Sequence, residues 1–542
     1  MDIAPELRLL QECLDLNDEQ RAIISHDDGP LLIIAGPGSG KTHSLVLRAM
    51  NLLLLDKAKP EELVLCTFTE KAANEMLTRM TALARRIDYR KDLSFMRIGT
   101  IHSLCNRLIM EYRHYTPLKN GYETLDDFSQ LLFLFEHLEK ICRNGAINVF
   151  KNRWGTKWQV AKKLQGYFDK IAEELVDVDR LLADNRPFIR LLADAYNMYR
   201  KVLVHENCVS FAALQKIAYN LLHDPKTSHQ ITHGIRYVFV DEYQDTNYIQ
   251  EQIVLKLAST TRNLCVVGDE DQALYRFRGA TVRNILEFYK NTPQCKRLQL
   301  NINYRSHANI IQAYDRWMAS SDWSSLDGTS FRTDKTIQPS VDREHPNYPA
   351  IFSIQGMNTK DEADQFAEFV FSLKDRSIIS DYSEVALLLS SVQPHHSEVY
   401  IDALRKKGIP AFCPRARSYF KQEEVYLMIA CFAQIFGYYG ERQGDLLDNE
   451  NFSEYVSNCI KKLRKDYSLS HPLYVTLQKI EEEITGPKED QDEEPSTRPL
   501  DYFYQLLATE PFLTFAKNDH QMRNLVIFSQ ELSSFQNFYC SS

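Results

Sequence analysis

The sequence predicts an α/β protein, built from parallel sheets of βα units with helical insertions between them. Short apolar runs alternate with helical patterns along much of the chain. The first run, Leu31 to Ile34, breaks into the glycine-rich turn Ala35-Gly36-Pro37-Gly38-Ser39-Gly40, followed at once by Lys41 and Thr42. A later run, Tyr237 to Val240, ends on the adjacent carboxylates Asp241 and Glu242. At 542 residues the chain exceeds a single core and should divide into roughly three or four domains.

Composition narrows the class. Hydrophobic residues make up 44% and charged residues 25%, a balance that buries sizeable cores and excludes a disordered chain. A net charge of −9 argues against indiscriminate polyanion binding, so any nucleic-acid contact has to be argued from particular residues. The eleven cysteines show no CxxC spacing, and the first residues lack a basic-then-apolar leader. Both features predict a reducing, cytoplasmic compartment. The stretch Leu427 to Tyr439 is too short to span a bilayer and contains Gln434, which predicts a buried helix and no membrane partner.

Taken in order, the strands that follow the first loop are Leu63 to Cys66, Arg97 to Thr100, Tyr237 to Val240, Leu264 to Val267 and Arg297 to Leu300, and together they predict one sheet. Between Asn106 and about Val209 the pattern is helical and poor in glycine, which reads as an insertion. A second α/β set is expected from Ile351 to Ile354, Val385 to Leu389 and Ala411 to Cys413. Beyond Gly440 the pattern is helical again, with an interruption expected at Glu481-Glu482-Glu483 and in the acidic stretch Gly486 to Pro495, which reads as a solvated loop.

The two landmarks carry chemistry. A strand that turns through glycines into a helix aims several backbone N–H groups at one concavity, where phosphate oxygens bind. Lys41 reaches β- and γ-phosphates, and the Thr42 hydroxyl ligates Mg²⁺. The strict pattern begins with glycine where this chain has Ala35. A glycine turn that binds nothing leaves the Gly-Lys-Thr at this offset unexplained. Carboxylates at the carboxyl end of a parallel strand face the ligand crevice of an α/β sheet. Asp241 is therefore expected to hold Mg²⁺ and Glu242 to orient and deprotonate the attacking water, with ATP and Mg²⁺ as the cofactors.

From Leu16 to about Val425 the order of segments resembles superfamily 1 DNA helicases of the UvrD/Rep/PcrA type. The segments are Leu16 to Gln20, Thr67 to Met76, Gly99 to Ser103, Asp241 to Thr246, Val267 to Ala280 and Asn303 to Ser306. The resemblance implies two RecA-like motor domains of the P-loop NTPase class. It divides the chain into a first motor domain (1–107 and 206–292), a helical insertion (108–205), the first part of a second motor domain (293–436) and a partial second insertion (437–542). By the same resemblance Gln20 reads the adenine edge, Tyr304 stacks on adenine, Arg305 reaches the γ-phosphate and Gln272 senses it. Phe68, Tyr275 and Phe277 supply aromatic faces for successive bases, and Lys71, His102 and Arg278 meet backbone phosphates. Core packing is the competing reading for Phe277, since Arg276 and Phe277 stand where the family usually has Gly and Trp.

Two later family segments, a His-x-x-Lys-Gly-Leu-Glu run and one ending in Thr-Arg, are not found before Ser542, and the arginine usual after Leu387-Leu388-Leu389 is replaced by Ser390. The expectation is an incomplete second motor domain and slow ATP hydrolysis by residues 1–542 alone. The implied function is an ATP-dependent 3′-to-5′ helicase or translocase acting on single-stranded DNA and duplex junctions in DNA repair or recombination, with a protein supplying the missing segment in trans. Two alternatives stay open: an ATP-gated DNA-binding subunit of a split motor, and the front half of a helicase–nuclease.

Overall fold

A computed structural model describes residues 16–143, 146–150, 156–275, 279–324, 328, 330–341, 349–411, 413, 420, 422–438, 450–485 and 498–539. The chain divides into two compact units, residues 1–351 and 352–542.

The first unit is organised by a parallel sheet. Its strands in chain order are β1 (Leu31–Ala35), β2 (Leu63–Thr67), β3 (Arg97–Thr100), a short pair β4 (Glu123–Leu125) and β5 (Cys208–Ser210), β6 (Tyr237–Val240), β7 (Leu264–Gly268) and β8 (Lys296–Leu300), followed by β9 (Ile302–Asn303) and β10 (Gln338–Pro339). Six of them form one sheet in the order β3-β2-β6-β7-β1-β8, every pair parallel. The single sheet expected from the apolar runs is therefore present.

Alternation of side chains along each strand builds two cores. Leu32, Ile34, Val64, Cys66, Val238, Val240 and Val266 point to one face, against the helices Ile101–Glu111, Phe211–His223 and Tyr248–Leu257. Leu31, Ile33, Leu63, Leu65, Phe239 and Val267 point to the other, against Asp18–Ile24, Lys41–Leu54 and Glu70–Arg86. Burial on both faces is what makes these strands read as unbroken apolar runs, and each fully buried Leu, Ile or Val contributes roughly 1.5–3 kcal/mol.

The insertion is helical as expected, but it is closed by a seam the apolar pattern did not signal. Its ends meet where β4 pairs with β5, in a register that sets Thr124 beside Val209. Two three-residue strands are too short for period-two alternation to show in sequence.

In the second unit, helices Thr359–Asp375 and Pro394–Lys406 pack through Ala363, Ala367, Val370, Tyr400 and Leu404. The expected strands of this region are not formed. Ile351 to Ile354 and Val385 to Leu389 carry no ladder pairing, and Leu388 is 91% exposed. A run acquires strand character only through a hydrogen-bonded neighbour, and none stands beside these segments among the described residues. The third expected strand has Ala411 and Cys413 unpaired, and Phe412 lies outside the described residues.

The buried helix expected near Leu427 is Glu423–Ile435, whose Leu427, Met428 and Cys431 pack with Leu463, Leu477 and Phe503. Glu424 within it is buried and accepts from Asn524 Nδ2 at 2.7 Å. Glu481, Glu482 and Glu483 do not interrupt the helical pattern but lie inside helix Pro472–Thr485. Glutamate is a good helix former, and Glu481 accepts from Gln434 Nε2 at 3.1 Å. The acidic stretch Gly486 to Pro495 lies outside the described residues. Among the described residues no helix is long and apolar enough to cross a membrane.

Candidate nucleotide and DNA site

The phosphate loop leaves the buried end of β1 at Ala35, runs through Gly36, Pro37, Gly38 and Ser39, and enters helix Lys41–Leu54 at Gly40. Gly40 caps the helix at φ 85°, a left-handed conformation that a side chain would strain. At Gly36 the constraint is space, since a Cβ there would sit 2.1 Å from Ile337 Cδ1. Ser39 is buried and its Oγ donates to the Gly36 carbonyl at 2.7 Å, which fixes the turn internally.

Asp241 and Glu242 stand at the carboxyl end of β6, on the same edge of the sheet as the loop after β1. Thr42 Oγ1 donates to Asp241 Oδ2 at 2.6 Å, which joins the two landmarks directly. Burial raises the Asp241 carboxyl to about 6, helped by the neighbouring Glu242 charge and opposed by the Thr42 hydrogen bond. Glu242 sits at φ 52°, a strained conformation for a residue with a side chain, and its N–H donates to Asp241 Oδ1 at 3.0 Å. Its Oε2 lies 3.4 Å from Lys41 Nζ and accepts from Gln244 Nε2 at 2.8 Å.

Lys41 also donates to Gln272 Oε1 at 3.2 Å, so Lys41, Thr42, Asp241, Glu242 and Gln272 form one cluster. Next to it, Asp245 is pushed up to about 7, first by burial and then by Glu242, and one of its carboxylate oxygens has no hydrogen-bond partner among the described residues.

Residues far apart in sequence close the other side. Gln20 and Asn17 cap helix Asp18–Ile24 reciprocally, and Asn17 Nδ2 donates to Tyr304 Oη at 2.8 Å. A Cβ on Gly40 would meet Gln20 Nε2 at 3.4 Å, so Gln20 lies against the loop. The Tyr304 N–H donates to the Gly38 carbonyl at 3.0 Å, and Asn303 Oδ1 accepts from the Arg305 N–H at 2.7 Å. Tyr304 and Arg305 are thereby brought to the phosphate loop.

The strand-end segments after β2 and β3 are neighbours, with Thr67 beside Thr100 in the ladder. Phe68 and Tyr275 face each other there, their ring centroids 4.7 Å apart. Lys71 is exposed in the first turn of helix Glu70–Arg86. His102 hydrogen-bonds Gln215 at 2.7 Å, and burial lowers its pKa, so the imidazole is neutral at pH 7. Phe277 and Arg278 lie outside the described residues, as does Arg276.

Sequence reading missed the residues that hold the named ones in place. Gln244 is almost fully buried and its Oε1 accepts from the Asp269 N–H at 3.0 Å, joining the ends of β6 and β7. Its place inside Asp241 to Thr246 was the available signal. Asp269 and Asn303 likewise lie inside Val267 to Ala280 and Asn303 to Ser306 and bond Gln272 and Arg305 nearby, whereas the partners of Lys335 are more than 60 residues away and no local pattern announces it.

Comparison with known proteins gives two family matches. Residues 16–293 match the UvrD/REP helicase N-terminal domain, and residues 298–470 match the UvrD-like helicase C-terminal domain. The chain is 28% identical over 413 residues to the ATP-dependent DNA helicase PcrA of Staphylococcus epidermidis, covering 76% of this chain and 52% of that protein. It is 29% identical over 433 residues to the ATP-dependent DNA helicase UvrD1 of Mycobacterium bovis, covering 77% and 52%. Against the PcrA helicase of Bacillus subtilis the identity is 32% over 311 residues, covering 55% and 38%. The chain spans about half the length of the two longer-matching relatives.

Proposed function

The chain belongs to the UvrD/REP helicase family, and on that footing we propose that it works as an ATP-driven motor on DNA, hydrolysing ATP between its RecA-like motor domains to move along a single strand in the 3′-to-5′ direction and separate duplex at a junction. The domain scheme given by the resemblance goes with this reading, with 1–107 and 206–292 as the ATP-binding motor domain, 108–205 as its helical insertion, 293–436 as the opening part of the second motor domain and 437–542 as part of a second insertion. DNA repair or recombination is the process it suits, in the cytoplasm.

The observation that carries the reading is the join of the phosphate loop to the carboxylate pair, Thr42 to Asp241 at 2.6 Å with Lys41 beside Glu242 and Gln272. A buried acid bonded to a hydroxyl at the mouth of a phosphate loop suits a divalent cation, so Thr42 and Asp241 are the residues that would hold Mg²⁺. When bound, that ion neutralises charge on the β- and γ-phosphate oxygens. Lys41 and the loop N–H groups bind the phosphates, Gln20 and Tyr304 orient the base, Arg305 adds positive charge at the γ-phosphate, and Glu242 takes a proton from the attacking water. Phe68 and Tyr275 offer stacking faces to bases of any identity, which a translocating motor requires.

The experiment is single-stranded-DNA-stimulated ATP hydrolysis by the 542-residue chain, alone and with candidate partner proteins. Glu242→Gln is expected to cut turnover on the order of 10²–10⁴-fold, the usual contribution of a general base, with ATP affinity kept. Equal turnover of the variant and the wild type rejects the assignment.

A further inference from the structure

Directly after β7 the chain places three carboxylates in a row, Asp269, Glu270 and Asp271, and all three side chains are at most 3% exposed. Adjacent buried anions are tolerated only when cations and hydrogen-bond donors meet them. Here the cations come from one short segment more than 60 residues on, and the Tyr314 hydroxyl also donates to Asp271 Oδ2. Lys335, its side chain 1% exposed, reaches Glu270 Oε1 and Asp271 Oδ2, each at 3.1 Å, and also bonds Asp269 Oδ1. Arg332 Nε lies 3.1 Å from both oxygens of Asp271, and the Thr333 N–H donates to Glu270 Oε1 at 2.8 Å.

The cluster does not end at the acids. Asp269 Oδ2, the oxygen that Lys335 does not use, accepts from Gln272 Nε2 at 2.5 Å, and Gln272 Oε1 accepts from Lys41 Nζ at 3.2 Å. A primary amide has two N–H donors at one end and an acceptor at the other, and little intrinsic preference decides which end faces a ligand. A carboxylate fixed on one side decides it. With Asp269 holding one N–H of Gln272, the amide oxygen faces Lys41 and the second N–H is left to turn toward a phosphate.

Given the nucleotide-site reading above, we propose that Lys335 is the positioning residue of this site: by pinning Asp269 it sets the orientation of the Gln272 amide, and so lets the site distinguish a nucleotide that carries a γ-phosphate from one that does not. Arg332 binds the same acidic run but, among the described residues, reaches Asp271 and neither Asp269 nor Glu270, which makes it the internal control. If the run were simply a structural latch, loss of either cation would act alike. If Lys335 works through Asp269 and Gln272, only one of the two changes γ-phosphate recognition.

The test titrates the 542-residue chain with ADP and with the β,γ-imido analogue of ATP, and compares the ratio of the two dissociation constants. Lys335→Gln is expected to lower the wild-type preference for the analogue by about tenfold, the scale of one charge-assisted hydrogen bond, while ADP affinity stays within about twofold. Asp269→Asn should do the same, and it decides alone if Lys335→Gln fails to fold, because Lys335 keeps Glu270 and Asp271 in that variant. Arg332→Gln should lower the melting temperature and leave the ratio at its wild-type value.

A ratio unchanged in Asp269→Asn and in folded Lys335→Gln overturns the role of Lys335, as does a wild type that binds both nucleotides equally. A ratio that falls as far in Arg332→Gln overturns it too. A wild type that binds neither nucleotide is a different failure, since it removes the nucleotide-site reading itself and this role with it.

Discussion

The two ends of the site on the first unit are built in opposite ways. Around the phosphate loop nearly every polar side chain is held by another: Thr42 by Asp241, Lys41 by Gln272 and Glu242, Glu242 by Gln244, and Gln272 by Asp269. At the ends of β2 and β3 the groups expected to meet DNA are a pair of rings in tilted contact, an exposed lysine and a neutral histidine. Phosphoryl transfer depends on positioning and preorganised charge, so a shift of an ångström is costly. A surface that slides along any base sequence needs tolerance, and sparse, apolar contact supplies it. Substitutions at the first end should therefore act steeply on one step, and those at the second mildly and evenly.

The sharpest way to break this contrast is at Lys41. Its ammonium is nearly buried and has Glu242 and Gln272 as partners, so Lys41→Ala removes the cation that joins them and the counter-charge beside Glu242. ATP affinity is expected to fall roughly 10–100-fold, the worth of a hydrogen bond to a charged group, and turnover to fall with it. Isothermal titration with ATP measures the first and a coupled assay the second. An unchanged affinity would place the phosphates elsewhere.

Next in size is Phe68→Ala. Stacking on an aromatic ring is worth about 1–3 kcal/mol per base, so binding to single strands should weaken at least fivefold. The loss should be similar for oligo-dT and oligo-dA, because a ring face reads no base edge. Fluorescence anisotropy decides this. A loss confined to one base composition, or none, contradicts the tolerant surface. The pairing of Phe68 with Tyr275 at 4.7 Å adds that the Tyr275→Ala effect should not simply add to that of Phe68→Ala.

How much of this was legible in the sequence differs between the same two ends and between the two units. The phosphate loop and Asp241-Glu242 were readable because each is a local event, an apolar run broken at a fixed offset by the residues the chemistry needs. Their side-chain partners were not, since Gln244 reaches to Asp269 and Lys335 to Asp269 across the sheet edge, and long-range pairing leaves no periodic trace. The same apolar signal that found β2, β6 and β7 also predicted strands at Ile351 to Ile354 and Val385 to Leu389, where none formed. An apolar run records the capacity to be buried in a sheet. Whether a neighbour is there to pair with it is a property of other parts of the chain.

A smaller effect tests the electrostatics of the nucleotide end. The Asp241 carboxyl is raised from its ordinary value near 3.8 to about 6, so the folded protein holds this proton more tightly than the unfolded chain does. Stability from this group is then greatest at low pH and is lost as pH rises from about 4 to about 6. The nucleotide-free Asp241→Asn variant, which carries no charge to bury, should therefore gain melting temperature relative to wild type by a few degrees between pH 4.5 and pH 7.5. Differential scanning fluorimetry at the two pH values measures it, and a pH-independent difference removes the burial argument.

The least of the expected effects separates two residues that sequence reading grouped together. Lys71 and His102 were both expected to meet DNA phosphates, but they stand in different surroundings. Lys71 is exposed, whereas burial holds the His102 imidazole below its usual range and leaves it neutral. A charge that neutralises a phosphate releases a counterion, and the logarithm of affinity falls with the logarithm of salt by about 0.7 per contact on a single strand. Lys71→Gln should accordingly flatten the salt dependence of oligo-dT binding by about 0.7 with only a modest loss of affinity. His102→Gln should leave the slope unchanged at pH 7.5, because the wild-type residue contributes no charge there to lose. A shallower slope in the His102 variant would mean that DNA draws the imidazole out of its burial beside Gln215 and Phe211 and protonates it, and the DNA end of the site would then be remodelled on binding.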